Sequence, residues 1–138
     1  MTFALDPRLA ADTLEVGELT LCRVLLMNDS RFPWLILVPR RDNLSEIHEL
    51  SPEERARLID EAAFAGERLK ALTGAKKINT AALGNMVSQL HVHVIARFDD
   101  DAAWPGPVWG VGKAAPYTPE EAAARLAALR ALVLEARQ

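Results

Sequence analysis

From Gln89 to Ile95 the chain reads Gln-Leu-His-Val-His-Val-Ile, with polar and apolar residues alternating without interruption through Val94. A helix would scatter that pattern around its circumference, whereas a strand sends successive side chains to opposite faces. The segment from Gln89 to Arg97 is therefore predicted to be a strand. It places Gln89, His91 and His93 in one row about 7 Å apart, with Leu90, Val92 and Val94 on the other face. An apolar face of that kind needs neighbouring strands and a covering layer, so the chain has to build a sheet packed against helices.

The remaining sequence supplies both. Short apolar, β-rich runs from Leu19 to Asn28 and from Trp34 to Val38 flank the turn-forming cluster Asn28-Asp29-Ser30-Arg31-Phe32-Pro33, which predicts a hairpin. Pro39-Arg40-Arg41-Asp42-Asn43 breaks the second run. Ser51-Pro52-Glu53-Glu54 then provides an N-cap, a proline at the first helical position and acids in the first turn. Leu58, Ala62, Ala65, Leu69 and Leu72 recur at helical spacing and mark one apolar face, which Gly74 terminates. Lys77 to Ala82 forms a third strand, separated from the alternating strand by Gly84-Asn85. After the loop Trp104-Pro105-Gly106-Pro107-Val108-Trp109-Gly110, the capping sequence Thr118-Pro119-Glu120-Glu121 opens a last helix with Ala122, Leu126, Leu129 and Val133 on one side. The predicted fold class is α+β: a mostly antiparallel sheet of about five strands, one long central helix and a C-terminal helix.

Length and composition bound the function. With 138 residues, half of them apolar and a quarter charged, the chain is expected to form a single domain over residues 1–138. One cysteine, Cys22, rules out an internal disulfide framework and suits a reducing compartment. Sixteen basic residues against nineteen acidic give a formal charge of −3, without the broad cationic field of a general nucleic-acid binder. The opening residues do not read as a signal peptide, and nowhere is there an apolar run of about eighteen residues. A cytoplasmic location, with neither membrane nor nucleic-acid polymer as partner, is the resulting expectation.

Two of the three histidines stand in the polar row. A lone histidine there would be read as part of a solvated strand face. A pair preceded by a glycine turn points to chemistry, because imidazole near neutral pH can be nucleophile, hydrogen-bond donor or metal ligand. The segment Gln89-Leu-His91-Val-His93-Val-Ile resembles the signature of the histidine triad (HIT) superfamily, His-φ-His-φ-His-φ-φ with φ apolar. Gly84 matches the family's glycine ahead of the triad. The order of hairpin, long helix, strand, glycine turn, triad strand and Trp-Pro-rich segment matches as well, so the resemblance covers about residues 5 to 110.

That resemblance implies a nucleotide-binding α+β fold, commonly a homodimer, which cleaves a phosphoramide or phosphoanhydride bond at the α-phosphorus of a nucleotide without metal or other cofactor. His91, the middle position, would attack phosphorus and form a nucleotidyl-histidine that water then hydrolyses. His93 would donate a hydrogen bond to the phosphate oxygens, helped by backbone N–H groups around Gly84 and Asn85. Asn28 stands where the family contacts the nucleoside sugar, although turn initiation explains an asparagine there too. Asn79 lies near the position of an asparagine at the substrate phosphate or sugar. The Asn85 amide would reach a phosphate, or simply serve the turn.

Three departures mark a divergent branch. Gln89 replaces the first histidine, and an amide holds a hydrogen bond but does not exchange protons at neutral pH. Either that position only orients its neighbours, or the substrate must carry a better leaving group or rely on His93 for proton transfer. Met86 replaces a serine that touches the scissile linkage in the phosphoramidase branch. The turn from Asp29 to Pro33 is short, with Trp34 where a further histidine is common. His48 in Ile47-His48-Glu49-Leu50, the tryptophans Trp104 and Trp109, the pair Arg40-Arg41 and Arg97 all have structural readings. Two rivals remain: a nucleotide-binding module that lost turnover through Gln89 and Met86, and a metal site on Gln89, His91 and His93. The second lacks a nearby Cys pair or carboxylate to complete the ligand set.

Overall fold

A computed structural model describes residues 3–136. Five strands form one sheet: β1 (Thr13–Glu18), β2 (Cys22–Met27), β3 (Trp34–Pro39), β4 (Lys77–Ala81) and β5 (Val92–Arg97). The spatial order is β1-β2-β3-β5-β4 and every pairing is antiparallel. Three α-helices, α1 (Pro7–Asp12), α2 (Pro52–Thr73) and α3 (Pro119–Ala136), and a short 3-10 helix at Ile47–Glu49 complete the fold among the described residues. The architecture is the α+β arrangement expected from the sequence.

Both long helices begin where their capping residues place them, and α2 also ends at one. Ser51 Oγ accepts the Glu54 N–H at 3.2 Å, and Gly74 closes α2 in the left-handed region at φ 70°. At the start of α3, Thr118 and Glu121 satisfy each other's backbone N–H groups at 3.0 and 3.2 Å. Leu58, Ala62, Ala65 and Leu69 are buried as predicted, but Leu72, in the last turn, is 42 % exposed. Contact with the sheet is close: a Cβ on Gly66 would lie 3.3 Å from Ile78.

The expected single strand from Leu19 to Asn28 is a correction. Leu19 to Leu21 form the turn of a β1–β2 hairpin, with the Leu19 N–H donating to the Cys22 carbonyl at 2.8 Å. The turn is held from a distance, because the buried Glu61 carboxylate on α2 accepts the N–H groups of Leu21 and Cys22, each at 2.8 Å. Burial together with Glu61 raises the Cys22 thiol far above its ordinary range. The predicted strand from Gln89 is also shorter, since regular pairing starts at Val92.

Each face of the sheet carries a core. Val24, Leu26, Leu37 and Val94 pack against Leu58, Leu69 and Leu129 of the helices. Leu25, Ile36, Val38 and Ile95 pack on the other side beneath Phe32, Trp34 and Val108. Fully burying an aliphatic side chain of this size contributes about 1.5–3 kcal/mol. β5 lies between β3 and β4, and its residues are buried throughout, so whatever it carries is held rigidly.

Candidate active site

His91 immediately precedes β5 and His93 is its second residue, with their ring centroids 5.0 Å apart and their exposures 7 % and 5 %. The Nδ1 of His91 is 2.6 Å from the main-chain oxygen of Gln89. A carbonyl only accepts, so Nδ1 carries the proton and the lone pair resides on Nε2. His91 faces a cavity of about 350 Å³, whose lining includes His48, Arg55, Ala82, Leu83 and Gly84. That volume falls in the range of small-molecule pockets, roughly 300–1,000 Å³. Gly84 takes φ 79°, which favours glycine over any residue with a Cβ.

His93 is in the opposite tautomeric state. The indole N–H of Trp34 donates to its Nδ1 at 2.9 Å, and an indole has nothing to accept with, so the His93 proton sits on Nε2. The Trp109 ring stands edge-on to it, centroids 5.0 Å apart. Burial, reinforced by the neighbouring His91, lowers the His93 pKa from 6.5 to about 4. His93 is thus a neutral donor at pH 7, and the expected takeover of proton transfer by His93 meets a ring whose basic nitrogen is already engaged. Trp34 and Trp109 also line a second cavity, of about 420 Å³, together with Met27 and Asn28. His91 thus lines the first cavity, and His93 meets the second only through Trp34 and Trp109, which line it.

Several predicted site residues are committed elsewhere. The Gln89 side chain accepts the Asp6 N–H at 2.8 Å and donates to the Ala4 carbonyl at 3.0 Å, pinning the N-terminal segment instead of joining a row with the histidines. Asn28 Oδ1 accepts the Tyr117 N–H at 3.0 Å, which ties the end of β2 to the chain leading into α3. Asn79 Oδ1 accepts from Arg97 at 2.8 Å. Asn85 and Met86 are exposed, and none of Asn28, Asn79 and Asn85 lines the His91 cavity. Arg97 itself is 1 % exposed and paired to Asp101 at 2.8 Å. Burial alone would raise the Asp101 carboxyl, but Arg97 and the N–H groups of Phe98, Ala103 and Trp104 hold it well below the usual carboxylate range.

The chain matches the HIT domain family over residues 8–100. It is also similar to three crystal structures of histidine triad proteins. That from Sinorhizobium meliloti is 53 % identical, with a TM-score of 0.91 over 93 % of this chain and 95 % of the other. The Marinobacter aquaeolei protein is 50 % identical, with a TM-score of 0.95 over 98 % of each chain. The Bradyrhizobium japonicum protein is 44 % identical, with a TM-score of 0.93 over 96 % and 99 %. This chain belongs to the HIT family. No curated protein matches it.

Membership supports, in general terms, a nucleotide-binding or hydrolase/transferase role for this HIT domain. His48, whose sequence setting has a structural reading, shares the wall of the His91 cavity with Arg55. Their sequence distance from the triad hid them; a basic residue in the first turn of α2, where acids are favoured, was the available signal. Among the described residues no three His, Cys, Asp or Glu side chains converge as a metal ligand set, and no helix is long and apolar enough to cross a membrane.

Proposed function

We propose that this HIT protein is a nucleotide hydrolase or transferase acting at the α-phosphorus through a nucleotidyl-His91 intermediate. The observation that carries the reading is the hydrogen bond from His91 Nδ1 to the Gln89 carbonyl, which leaves Nε2 with its lone pair beside an open cavity. In the first step Nε2 forms a bond to phosphorus as the leaving group departs. The imidazolium so formed keeps its Nδ1 proton on the carbonyl. In the second step water attacks phosphorus and the electron pair returns to Nε2, releasing a mononucleotide. His93 Nε2–H donates to a phosphate oxygen as charge builds there, and main-chain N–H groups around Gly84 add to that field. Gln89 acts through its main chain, orienting the nucleophile, which an amide side chain does not impede. The nucleoside occupies the cavity beside Asn28 and Trp109, and the leaving group the cavity beside Arg55.

A second reading, a nucleotide-binding module with little turnover, is favoured by one observation: the Gln89 amide, which carries no acidic proton, is bound at its oxygen by the Asp6 N–H and at its nitrogen to the Ala4 carbonyl, so the first triad position offers no acid. Incubation with an adenosine phosphoramidate and with diadenosine polyphosphates separates the two. Release of AMP that His91→Ala abolishes supports the enzyme; binding without release, unchanged in rate by His91→Ala, supports the module. A homodimer, a single domain and a cytoplasmic setting accompany the proposal. β4 ends the sheet with one edge unpaired, and sedimentation at micromolar concentration tests whether a second copy covers it.

A further inference from the structure

We infer that His48 is the general acid of this site, which protonates the atom that leaves phosphorus and so supplies what Gln89 at the first triad position lacks. The inference rests on the proposed role of His91 and adds a second catalytic residue to it.

A nitrogen that leaves phosphorus needs a proton, because an amide anion is not a viable leaving group in water. Gln89 has no acidic proton to give, and its amide is bound to main-chain groups of Ala4 and Asp6. His93 is neutral at pH 7 and its Nδ1 is taken by the Trp34 indole. The wall of the His91 cavity offers few alternatives: its other polar side chains are those of Ser45, Glu46, His48 and Arg55. A serine hydroxyl and a guanidinium hold their protons at neutral pH, and an exposed carboxyl group has already lost its own. An imidazole exchanges its proton in that range. Of the three histidines, His48 is the one whose ring has both nitrogens free of partners among the described residues, and it is exposed, so solvent reloads it.

The fold braces His48 on that wall. The Leu90 N–H donates to the Leu44 carbonyl at 2.8 Å, which fastens the segment leading to His48 to the residue next to His91. The 3-10 helix at Ile47–Glu49 is fixed in turn, because the Glu49 carboxylate accepts the Ser45 and Glu46 N–H groups at 2.9 and 2.8 Å and Leu44 and Leu50 are buried on either side. The charged and titratable groups facing His48 are Glu46 and Glu49 of its own segment, Arg55 of α2 and His91. In the resulting step His91 Nε2 gives its electron pair to phosphorus, the phosphorus–nitrogen bond breaks, and the released pair takes the proton of the His48 imidazolium. The products are a neutral amine, neutral His48 and nucleotidyl-His91, and His48 regains its proton from solvent.

Two substrates with the same nucleotide separate this role from a structural one. Adenosine 5′-phosphoramidate must have its leaving nitrogen protonated, whereas the p-nitrophenyl ester of AMP releases a phenolate that departs as a stable anion. kcat/KM and the His91 adduct in quenched samples are followed for the unaltered protein and for His48→Gln, which keeps a hydrogen-bonding side chain without an acidic proton. The expected result is a loss of about a hundredfold or more with the phosphoramidate, as for removal of a general acid, and an unchanged rate with the ester. The phosphoramidate kcat/KM of the unaltered protein is expected to fall on the alkaline side as His48 loses its proton, and His48→Gln to abolish that limb. An equal loss with both substrates, or no loss with either, overturns the inference, as does an alkaline limb that survives in His48→Gln. In each of these cases an adduct on His91 leaves the His91 reading standing. No adduct from either substrate on the unaltered protein overturns that reading and the inference with it.

Discussion

The indole N–H of Trp34 and Nδ1 of His93 meet at 2.9 Å with both side chains 5 % exposed, so the tautomer of one triad histidine is set by a residue fifty-nine positions away. Replacing Trp34 by Phe keeps a ring edge-on to Trp109 but removes the donor. The His93 imidazole, followed by NMR titration, should then move up from about 4 toward its ordinary value, with a stability loss of about 1–3 kcal/mol for the stranded Nδ1. A titration midpoint that stays in place would show that burial and His91 set it without the indole.

The same lowered pKa makes folding pH-dependent in a definite direction. Since the folded value lies below the unfolded one, the unfolded chain takes up the proton first as pH falls. The contribution is complete above pH 6.5, declines between 6.5 and about 4, and is constant below that. It amounts to about 3 kcal/mol across the window. Denaturant midpoints at pH 7 and pH 4.5 should differ accordingly, and His93→Asn should flatten the difference. Asp101, also lowered, loses its contribution only in more acidic solution, as pH falls below its ordinary value of 3.8.

Glu61 joins α2 to the β1–β2 turn through two 2.8 Å hydrogen bonds in a buried setting. Glu61→Ala strands two N–H groups at about 1–3 kcal/mol each, and thermal unfolding should show the loss. The buried Cys22 thiol beside it should resist alkylation in the native protein and react once the chain unfolds. Rapid native labelling would mean that the turn opens readily.

Gln89 offers a local test. Gln89→Ala releases the Asp6 N–H and the Ala4 carbonyl, so hydrogen exchange at Asp6 should speed up by about tenfold or more while amides of β5 stay protected. Unchanged exchange at Asp6 would mean that the N-terminal segment is held by Phe3 and Leu5 alone.

What the sequence could reveal was whatever its local patterns encode. Ser51, Gly74 and the Thr118–Glu121 pair announced both long helices, and the alternation around His91 announced β5 and the face that each histidine takes. β1 escaped notice because Thr13 to Glu18 mixes acids and a glycine with its apolar residues, and its edge position asks for nothing more regular. The turn at Leu19–Leu21 was misplaced because it depends on Glu61, forty residues away. The site was legible in the same proportion. His91, His93 and Gly84 come together as expected, since one short stretch of chain carries them. Asn28, Asn79 and Gln89 do not converge on them, because their amides serve Tyr117, Arg97 and the N-terminal segment, partners that no spacing rule links to them. Arg55 and His48 reach the cavity only through the packing of α2 on the sheet.

The central claim is that Nε2 of His91 bonds to phosphorus. Rapid mixing with an isotopically labelled nucleotide anhydride, acid-free quenching and peptide mass spectrometry address it directly. The account predicts a nucleotidyl group on the peptide containing His91, localised to that residue, formed before free mononucleotide appears and absent from His91→Ala. Mononucleotide released at full rate with the peptide unmodified throughout would contradict it.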